Sequence, residues 1–466
     1  MARRFPIFFF LLGLLPAIAG AAPDSFKFGR FGTVPIVRPA GEPSKVALLF
    51  SGEKGLGERE AAIAKALAAS GALVFTVDTA HYFATAGHGG GRLFPAVDFE
   101  ALSQIGQKEW GIEAYRQPIL VGTGAGATLI YVALAEAPPD TFAGVVSDGF
   151  CPAISSDRLY RRASGLAWER KGPGFLLLPT QEIEDPWLIL DNPETACAGS
   201  SPKEFVKKIA SARVIPAPPG VPAREAWKKQ LPQALAILAE ERRKEDAKIE
   251  ARGALKDLAL IEVPATGPEK DVLAVVLTGS GGYVGFDRKM GNQLAQRGVR
   301  VVGLSSIGYF WKPRQPDGSA RDLARILEHY LAKWHKSRAI IVGYSQGADV
   351  APFMINRLPA PLRSKIALVA MVGLDGGAQF DMHPDGWVSD RPITPELPVA
   401  PELPKLKGTR ALCIYGEVEK KSLCKSLPPG IAGVIEVPGG HGFEGEAGKL
   451  AERFIAEIGS HPKGAS

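Results

Sequence analysis

Residues 343–347 read Gly-Tyr-Ser-Gln-Gly and place Ser345 at the centre of a Gly-x-Ser-x-Gly turn. The apolar stretch 338–342 precedes this turn, and residues 348–354 have the composition of a helix start. Strand, glycine turn and helix in this order form a nucleophile elbow, whose serine hydroxyl projects from the edge of a parallel sheet. A five-residue match alone arises by chance, but its context favours a nucleophilic Ser345 over a structural turn serine.

A serine hydroxyl needs a general base, and in this fold the base follows the nucleophile along the chain. His441 lies in the glycine-rich loop 439–443, directly after the apolar stretch 433–437. A loop that leaves the last strand is the expected position of the base, so we predict that role for His441. His383 also follows the elbow, but no such strand precedes it. We interpret it as a surface or substrate-side residue.

The third catalytic group would be a carboxylate that orients the imidazole, and glutamate can take this role. Glu419 follows the predicted strand 411–416 and is the preferred candidate. Glu417 and Asp375 remain alternatives. A disulfide between Cys413 and Cys424 would clasp the loop that carries Glu419.

The oxyanion hole is predicted to combine the backbone N–H of Gln346 with that of Gly281. Gly281 lies in the glycine-rich loop 279–283 after the first strand of this half. No Gly-Lys-Ser/Thr follows, so a phosphate-binding interpretation is weaker. We identify no cofactor or metal motif, and the scattered histidines form no ligand cluster in the sequence.

The elements that must position these residues occur twice in the 466-residue chain. Residues 46–52 resemble 273–279, and 119–126 resemble 340–347, except that Gly124 takes the place of the serine. Apolar strands that alternate with helices indicate a parallel sheet covered on both faces. We therefore predict an α/β fold of two tandem α/β-hydrolase-like domains. The first, 23–215, would be degenerate and the second, 254–466, catalytic, with a linker and connecting helix at 216–253.

The N-terminus and the cysteines indicate export. Residues 1–22 combine Arg3 and Arg4, a short apolar run and small residues, as in a secretory signal peptide. The four cysteines fit an oxidising compartment, and we predict a second bridge between Cys151 and Cys197. The formal net charge of +6 is diffuse, so nucleic acid is not an expected partner, whereas an anionic membrane surface is compatible.

Several motifs together resemble the AcvB/VirJ family of bacterial virulence proteins. They are Tyr-Phe-Trp at 309–311, Gly-Tyr-Ser-Gln-Gly-Ala-Asp-Val at 343–350, Cys-Ile-Tyr-Gly at 413–416 with Cys424, and Gly-His-Gly-Phe at 440–443. The two-copy layout with a signal peptide is similar to the longer AcvB type. That resemblance implies a periplasmic hydrolase of aminoacyl-phosphatidylglycerol at the inner membrane, with Ser345 as nucleophile and His441 as base. Shorter members are associated with type IV secretion and virulence, so secretion-system proteins are further candidate partners.

Such a substrate carries an ammonium group that favours a nearby carboxylate. Asp381 and Asp385, on the loop after the strand 366–372, are candidates for that contact, and Tyr344 is a candidate for the pocket wall. The sequence is also compatible with two other functions. The protein could be a periplasmic esterase or peptidase for another acyl substrate, or a non-enzymatic adaptor of a secretion system.

Overall fold

The computed structural model describes residues 25–85, 94–137, 141–154, 166–172, 174–192, 197, 202–250, 253–382 and 396–459. The predicted signal peptide 1–22 lies outside these residues, as do His383 and Asp385. Within the described ranges, no helix has the length and apolar character that crossing a membrane would require.

The first domain is built on an eight-stranded sheet, and a small three-stranded sheet lies beside it. Its strands and helices are β1 (Ser25–Phe28), β2 (Gly32–Val37), β3 (Lys45–Phe50), α1 (Glu58–Ala69), β4 (Ala72–Val77), α2 (Thr79–Thr85), α3 (Pro95–Glu109), β5 (Ile119–Thr123), α4 (Ala125–Glu136), β6 (Gly144–Asp148), β7 (Ala153–Ile154), β8 (Ala167–Lys171), β9 (Gly174–Leu178), β10 (Trp187–Leu190), α5 (Pro202–Val206), β11 (Ala212–Ile215) and α6 (Ala223–Glu250). The large sheet has the order β1-β2-β4-β3-β5-β6-β10-β11 and is parallel from β4 to β11.

The second domain is built on a seven-stranded sheet of the order β12-β14-β13-β15-β16-β19-β20. Its strands and helices are β12 (Leu260–Val263), β13 (Leu273–Leu277), α7 (Gly285–Gln296), β14 (Arg300–Leu304), α8 (Ser306–Tyr309), α9 (Pro316–Lys333), β15 (Ala339–Tyr344), α10 (Gln346–Asn356), α11 (Ala360–Arg363), β16 (Ile366–Val372), β17 (Gly377–Ala378), β18 (Leu397–Pro398), β19 (Ala411–Gly416), β20 (Gly433–Val437) and α12 (Ala447–Gly459). Every neighbouring pair in this sheet is parallel except β12 with β14.

Helices cover both faces of the second sheet, because successive strand residues point to opposite faces and both sets are apolar. Along β13, Val275 packs in the cluster that contains α9 and α10, whereas Val276 packs in the cluster that contains α7 and α12. The first sheet repeats the central order, since β4-β3-β5-β6 corresponds to β14-β13-β15-β16. The predicted fold of two tandem α/β-hydrolase-like domains is therefore confirmed.

Helix α6, which the sequence predicted as a connecting helix, forms a layer of the first domain. Its apolar residues Trp227, Leu231 and Leu238 pack in one cluster with Val146 of β6 and Leu188 of β10. Leu231, Leu235 and Leu238 lie at helical spacing in the sequence and form the narrow apolar face of this helix. A division at residue 216 would separate α6 from the sheet that it covers, so here the first domain is taken to include this helix.

The two domains meet where the end of α3 contacts the loop after α8. Lys108 Nζ donates a hydrogen bond to the Trp311 carbonyl at 2.5 Å and lies 4.8 Å above the centre of the Trp311 ring. The Trp311 indole N–H donates to the Ile112 carbonyl at 2.7 Å, and the Tyr115 ring lies 5.1 Å away. Trp311 is thereby buried between the two domains.

Both predicted disulfides are present. Cys151 pairs with Cys197 in the first domain, and Cys413 pairs with Cys424 in the second. The second bridge joins β19 to a short 3-10 helix, with a sequence separation of 11 residues. This prediction from the cysteine count is confirmed.

Candidate active site

Ser345 lies at the tight turn between β15 and α10, with φ 52° and ψ −121°. A positive φ is unfavourable for a residue other than glycine, and here the Ser345 N–H donates to the Val372 carbonyl at 2.9 Å. The flanking glycines are required by close packing. A Cβ on Gly347 would lie 1.9 Å from the Leu277 carbonyl oxygen, and one on Gly343 would lie 2.4 Å from the Gly347 carbonyl oxygen.

The loop between β20 and α12 brings His441 to the elbow. His441 Nε2 lies 2.9 Å from Ser345 Oγ, and its Nδ1 lies 2.5 Å from Glu419 Oε1. In the neutral tautomer that this arrangement favours, Nδ1–H donates to the carboxylate and Nε2 accepts the serine hydroxyl. The three side chains form one continuous hydrogen-bonded chain.

Glu419 is the carboxylate that the structure brings to the histidine. Its Oε2 accepts a 2.6 Å hydrogen bond from the Gly416 N–H, and its own N–H closes the turn by donating to the Gly416 carbonyl at 2.9 Å. Glu417 instead accepts the Gly439 N–H at 3.3 Å, and Asp375 is an exposed residue. Of the three acids left open by the sequence, Glu419 alone is hydrogen-bonded to His441 within the part of the chain that the structure describes.

The loop that carries Glu419 is tied down at its far end. The Cys413–Cys424 bridge joins its two sides, with Cα atoms 5.5 Å apart. The Ser422 hydroxyl donates to the Leu374 carbonyl at 3.1 Å, and the Leu423 N–H donates to the same oxygen at 2.9 Å. These contacts limit the positions that the Glu419 carboxylate can adopt.

The glycine-rich loop after β13 approaches the nucleophile closely. A Cβ on Gly279 would lie 3.5 Å from Ser345 Cβ, and the Gly282 N–H donates to the Gly279 carbonyl at 3.0 Å. The N–H groups of the two central residues of such a turn, Ser280 and Gly281, are not used in closing it. Gln346, the first residue of α10, likewise has an N–H without a partner earlier in the helix. The predicted donors Gln346 and Gly281 therefore remain available for a substrate oxyanion.

Asp287 anchors this loop and was not recognised in the sequence. Its Oδ2 accepts the Gly279 N–H at 3.1 Å, and burial raises the pKa of the Asp287 carboxyl well above its usual range. The available signal was an acidic residue on the apolar face of α7, next to Phe286 and three residues before Met290.

The Tyr344 side chain contacts the loop that carries His441. Its hydroxyl donates to the His441 carbonyl at 2.8 Å, and its ring lies 5.5 Å from the imidazole. Burial raises the pKa of Tyr344, so its phenol stays protonated and remains a donor. These contacts favour a role in positioning His441 over the predicted role in lining the substrate pocket.

We expect Tyr344→Phe to lower kcat about three- to tenfold, because one hydrogen bond to the histidine loop is lost and its net worth is about 0.5–1.5 kcal/mol. Tyr415→Phe is the matched control, since that hydroxyl donates to Glu436 at 2.7 Å and not to the loop that carries His441. Ester turnover by both variants would be compared with the wild type. Equal rates for all three proteins would contradict a positioning role.

Asp381, predicted to bind a substrate ammonium, has a partner in the other domain. Its Oδ1 lies 3.4 Å from Lys108 Nζ at the contact between α3 and the loop after α8. Its carboxylate is thereby already paired with a cation. The companion candidate Asp385 lies outside the described residues.

Asp349, in the first turn of α10, fixes the segment that follows β16. Its Oδ1 accepts the N–H groups of Asp375 and Gly376, both at 3.0 Å. Burial raises the pKa of Asp349 to about 7. The folded protein therefore binds this proton more tightly than the unfolded chain does.

We expect Asp349→Asn to be more stable than the wild type at pH 8, because the amide oxygen can keep both hydrogen bonds without a buried charge. That advantage should shrink as the pH falls from about 7 to about 4, by at most ~1.4 kcal/mol per pH unit, as the wild-type carboxyl binds its proton. Urea unfolding of both proteins between pH 4 and 8 measures the difference. Parallel stability curves would rule out the effect.

An elbow serine, a histidine and a carboxylate in hydrogen-bond contact, placed at the ends of parallel strands, define the arrangement of the α/β serine hydrolases. Residues 271–461 match the model of the family described as bacterial virulence protein (VirJ). The resemblance to the AcvB/VirJ family is thereby confirmed over the second domain.

Solved structures to which the chain is similar include Est1E from Butyrivibrio proteoclasticus, with 13% identity and a TM-score of 0.34 over 44% of this chain and 96% of that one. XC6422 from Xanthomonas campestris, described as an α/β serine hydrolase without lid, has 15% identity and a TM-score of 0.30 over 44% of this chain and 90% of that one. A proline iminopeptidase from Mycobacterium smegmatis has 12% identity and a TM-score of 0.31 over 43% and 95%. The comparison with curated proteins finds no match.

Proposed function

We propose that this protein is an exported serine hydrolase that cleaves the aminoacyl ester of aminoacyl-phosphatidylglycerol to a free amino acid and phosphatidylglycerol. The observation that carries the hydrolytic part is the chain of contacts from Ser345 Oγ through His441 to Glu419, at 2.9 and 2.5 Å. Ser345 is the proposed nucleophile, His441 the general base and Glu419 the group that orients it.

In the first half-reaction, Ser345 Oγ attacks the ester carbonyl while His441 Nε2 takes the hydroxyl proton. The oxygen that becomes negative accepts hydrogen bonds from the N–H groups of Gln346 and Gly281. The C–O bond to the glycerol headgroup then breaks, and His441 returns the proton to the departing phosphatidylglycerol oxygen. In the second half-reaction His441 takes a proton from water, and the water oxygen attacks the aminoacyl-serine. The bond to Ser345 Oγ then breaks, His441 returns the proton to this oxygen, and the amino acid is released.

The choice of an aminoacyl lipid rests on the VirJ match together with the chemistry of the ester. An α-ammonium group beside the carbonyl makes this ester more reactive than an ordinary acyl ester, which suits attack by a serine activated by His441 and Glu419. The sequence isoelectric point of about 9.0 favours association with a membrane surface rich in anionic phosphatidylglycerol. The predicted signal peptide and the two disulfides support a periplasmic location.

The proposal is tested by the lipids of a strain that lacks this gene. Lysyl- or alanyl-phosphatidylglycerol should accumulate, and the wild-type gene, but not one that encodes Ser345→Ala, should restore the normal level. Unchanged lipids in the deletion strain, together with fluorophosphonate labelling of Ser345, would favour an esterase for another acyl substrate. Absence of labelling would favour the non-enzymatic adaptor.

A shortened protein that begins at Ala254 should keep labelling by a small fluorophosphonate, because the seven-stranded sheet and the three catalytic side chains lie wholly within it. We expect it to lose hydrolysis of lipid in vesicles, on the hypothesis that the first domain helps to hold the enzyme at the bilayer. Its loop after α8 would lose Lys108, and Trp311, only 3% exposed in the full chain, would be uncovered. Equal lipid turnover by the short and full-length proteins would show that the first domain has no part in substrate handling.

A further inference from the structure

The first domain contains a cavity of about 1070 Å³ at the place where the second domain carries its nucleophile. Gly124 and Ala125, at the start of α4, line this cavity. Gly124 keeps the elbow conformation, with φ 48° and ψ −117° against 52° and −121° for Ser345. The volume is of the size that small-molecule sites use. The turn has thus kept its shape while losing its nucleophile.

The Glu53 carboxylate lies next to Gly124 at the apex of this turn. A Cβ on Gly124 would lie 2.8 Å from Glu53 Oε2, so the Glu53 side chain occupies the space above the apex of the elbow. Glu53 follows β3 at the position that Ser280 holds after β13 in the aligned halves. Within the described residues Glu53 makes no hydrogen bond or ion pair, and it lines the cavity.

Several of the other charged groups on the wall have partners within the protein. Arg59 pairs with Asp148, and Glu60 Oε1 accepts the Thr123 hydroxyl at 2.7 Å. Lys54 and Glu58, both exposed, offset each other in charge. Four carboxylates (Glu53, Glu58, Glu60 and Asp148) against two cations (Lys54 and Arg59) leave the described wall with a net charge of −2, and Glu53 is the carboxylate at the apex of the elbow.

A buried hydroxyl on the same wall also lacks a partner. Thr79 is fully buried and lines the cavity, and its Oγ1 makes no hydrogen bond among the described residues. The corresponding Ser306 of the second domain donates its hydroxyl to the Thr278 carbonyl at 2.6 Å. An unsatisfied buried hydroxyl costs stability unless a ligand or water engages it.

We propose that this cavity is a binding site for a primary ammonium compound, whose cationic group pairs with Glu53 and whose apolar part contacts Phe83, Leu129 and Ile154. The chemistry is shared by a free amino acid derivative and by the aminoacyl headgroup of a lipid. The binding requires no hydrolysis and does not depend on the role of Ser345.

The test uses the full-length Ser345→Ala protein and two soluble probes, leucinamide and N-acetyl-leucinamide, which differ only in the ammonium group. Calorimetry should show that leucinamide binds several-fold more tightly than its acetylated form, which lacks the cationic group. Glu53→Gln should weaken leucinamide binding by about fivefold at most, as expected for an ion pair with an exposed carboxylate. Ala80→Trp, at an exposed position on the cavity wall, should abolish binding by filling the space. Glu42→Gln, an exposed carboxylate outside the cavity, is the matched control.

A second arm measures association with phosphatidylglycerol vesicles with and without alanyl-phosphatidylglycerol. Leucinamide binding that depends on Glu53 would support the site with a soluble amine as ligand. Binding only to the alanyl lipid, again dependent on Glu53, would support it with a lipid headgroup as ligand. Because both substitutions lie in the first domain, a loss would also locate the site. No binding in either arm, or binding that Glu53→Gln leaves unchanged, would overturn the proposal.

Discussion

Replacing Ser345 by alanine is expected to lower ester hydrolysis by a factor on the order of 10⁶, because the reaction loses its nucleophile and the remaining groups cannot form an acyl-enzyme. The fold should survive, since the Ser345 side chain is partly exposed at the sheet edge and contributes little packing. Turnover of an activated ester such as p-nitrophenyl acetate measures the loss. Thermal unfolding measures the stability of the variant.

Ser426→Ala serves as the control for this experiment, because it removes an exposed serine hydroxyl elsewhere in the second domain. It should retain the full rate. Turnover by Ser345→Ala close to that of the control would remove the catalytic interpretation of the elbow as a whole.

Glu419→Gln is expected to lower kcat by a factor on the order of 10⁴ at most, with less loss if water takes over the contact. The amide cannot hold the His441 ring in the tautomer that leaves Nε2 free to accept the serine proton. It also removes the negative charge that stabilises the imidazolium. The measurement is kcat for a soluble ester at a saturating concentration.

Two neighbouring carboxylates provide matched controls, namely Glu417→Gln and Asp375→Asn. Neither carboxylate is hydrogen-bonded to His441 in the described structure, so both variants should keep kcat within a few-fold of the wild type. A large loss in Asp375→Asn with a harmless Glu419→Gln would show that the orienting acid lies after β16.

The elbow and the histidine were predictable because each is defined by local pattern. A glycine turn between an apolar strand and a helix leaves little freedom for Ser345, and the strand before His441 fixes its edge of the sheet. The acid was not predictable in the same way. Glu417 and Glu419 lie on one irregular loop, and the choice between them depends on the turn closed by the Gly416 contacts.

The repeat predicted that the two domains share one α/β fold, because equivalent apolar strands and glycine turns pack alike. The contact between the two domains corresponds to no pattern in the sequence. Lys108 and Asp381 are 273 residues apart, and neither belongs to a motif. The sequence alone therefore could not show that Asp381 pairs with Lys108, because this contact depends on the position of α3 beside its loop.

The most direct measurement of the proposed function is amino acid release from vesicles by the purified full-length protein. Phosphatidylglycerol vesicles that contain lysyl- or alanyl-phosphatidylglycerol would be incubated with the wild type, Ser345→Ala and Ser426→Ala, and free amino acid would be quantified. We predict stoichiometric amino acid and phosphatidylglycerol from the wild type and from Ser426→Ala, and none from Ser345→Ala. No release from either aminoacyl lipid by wild-type protein that still hydrolyses p-nitrophenyl acetate would contradict the assigned substrate.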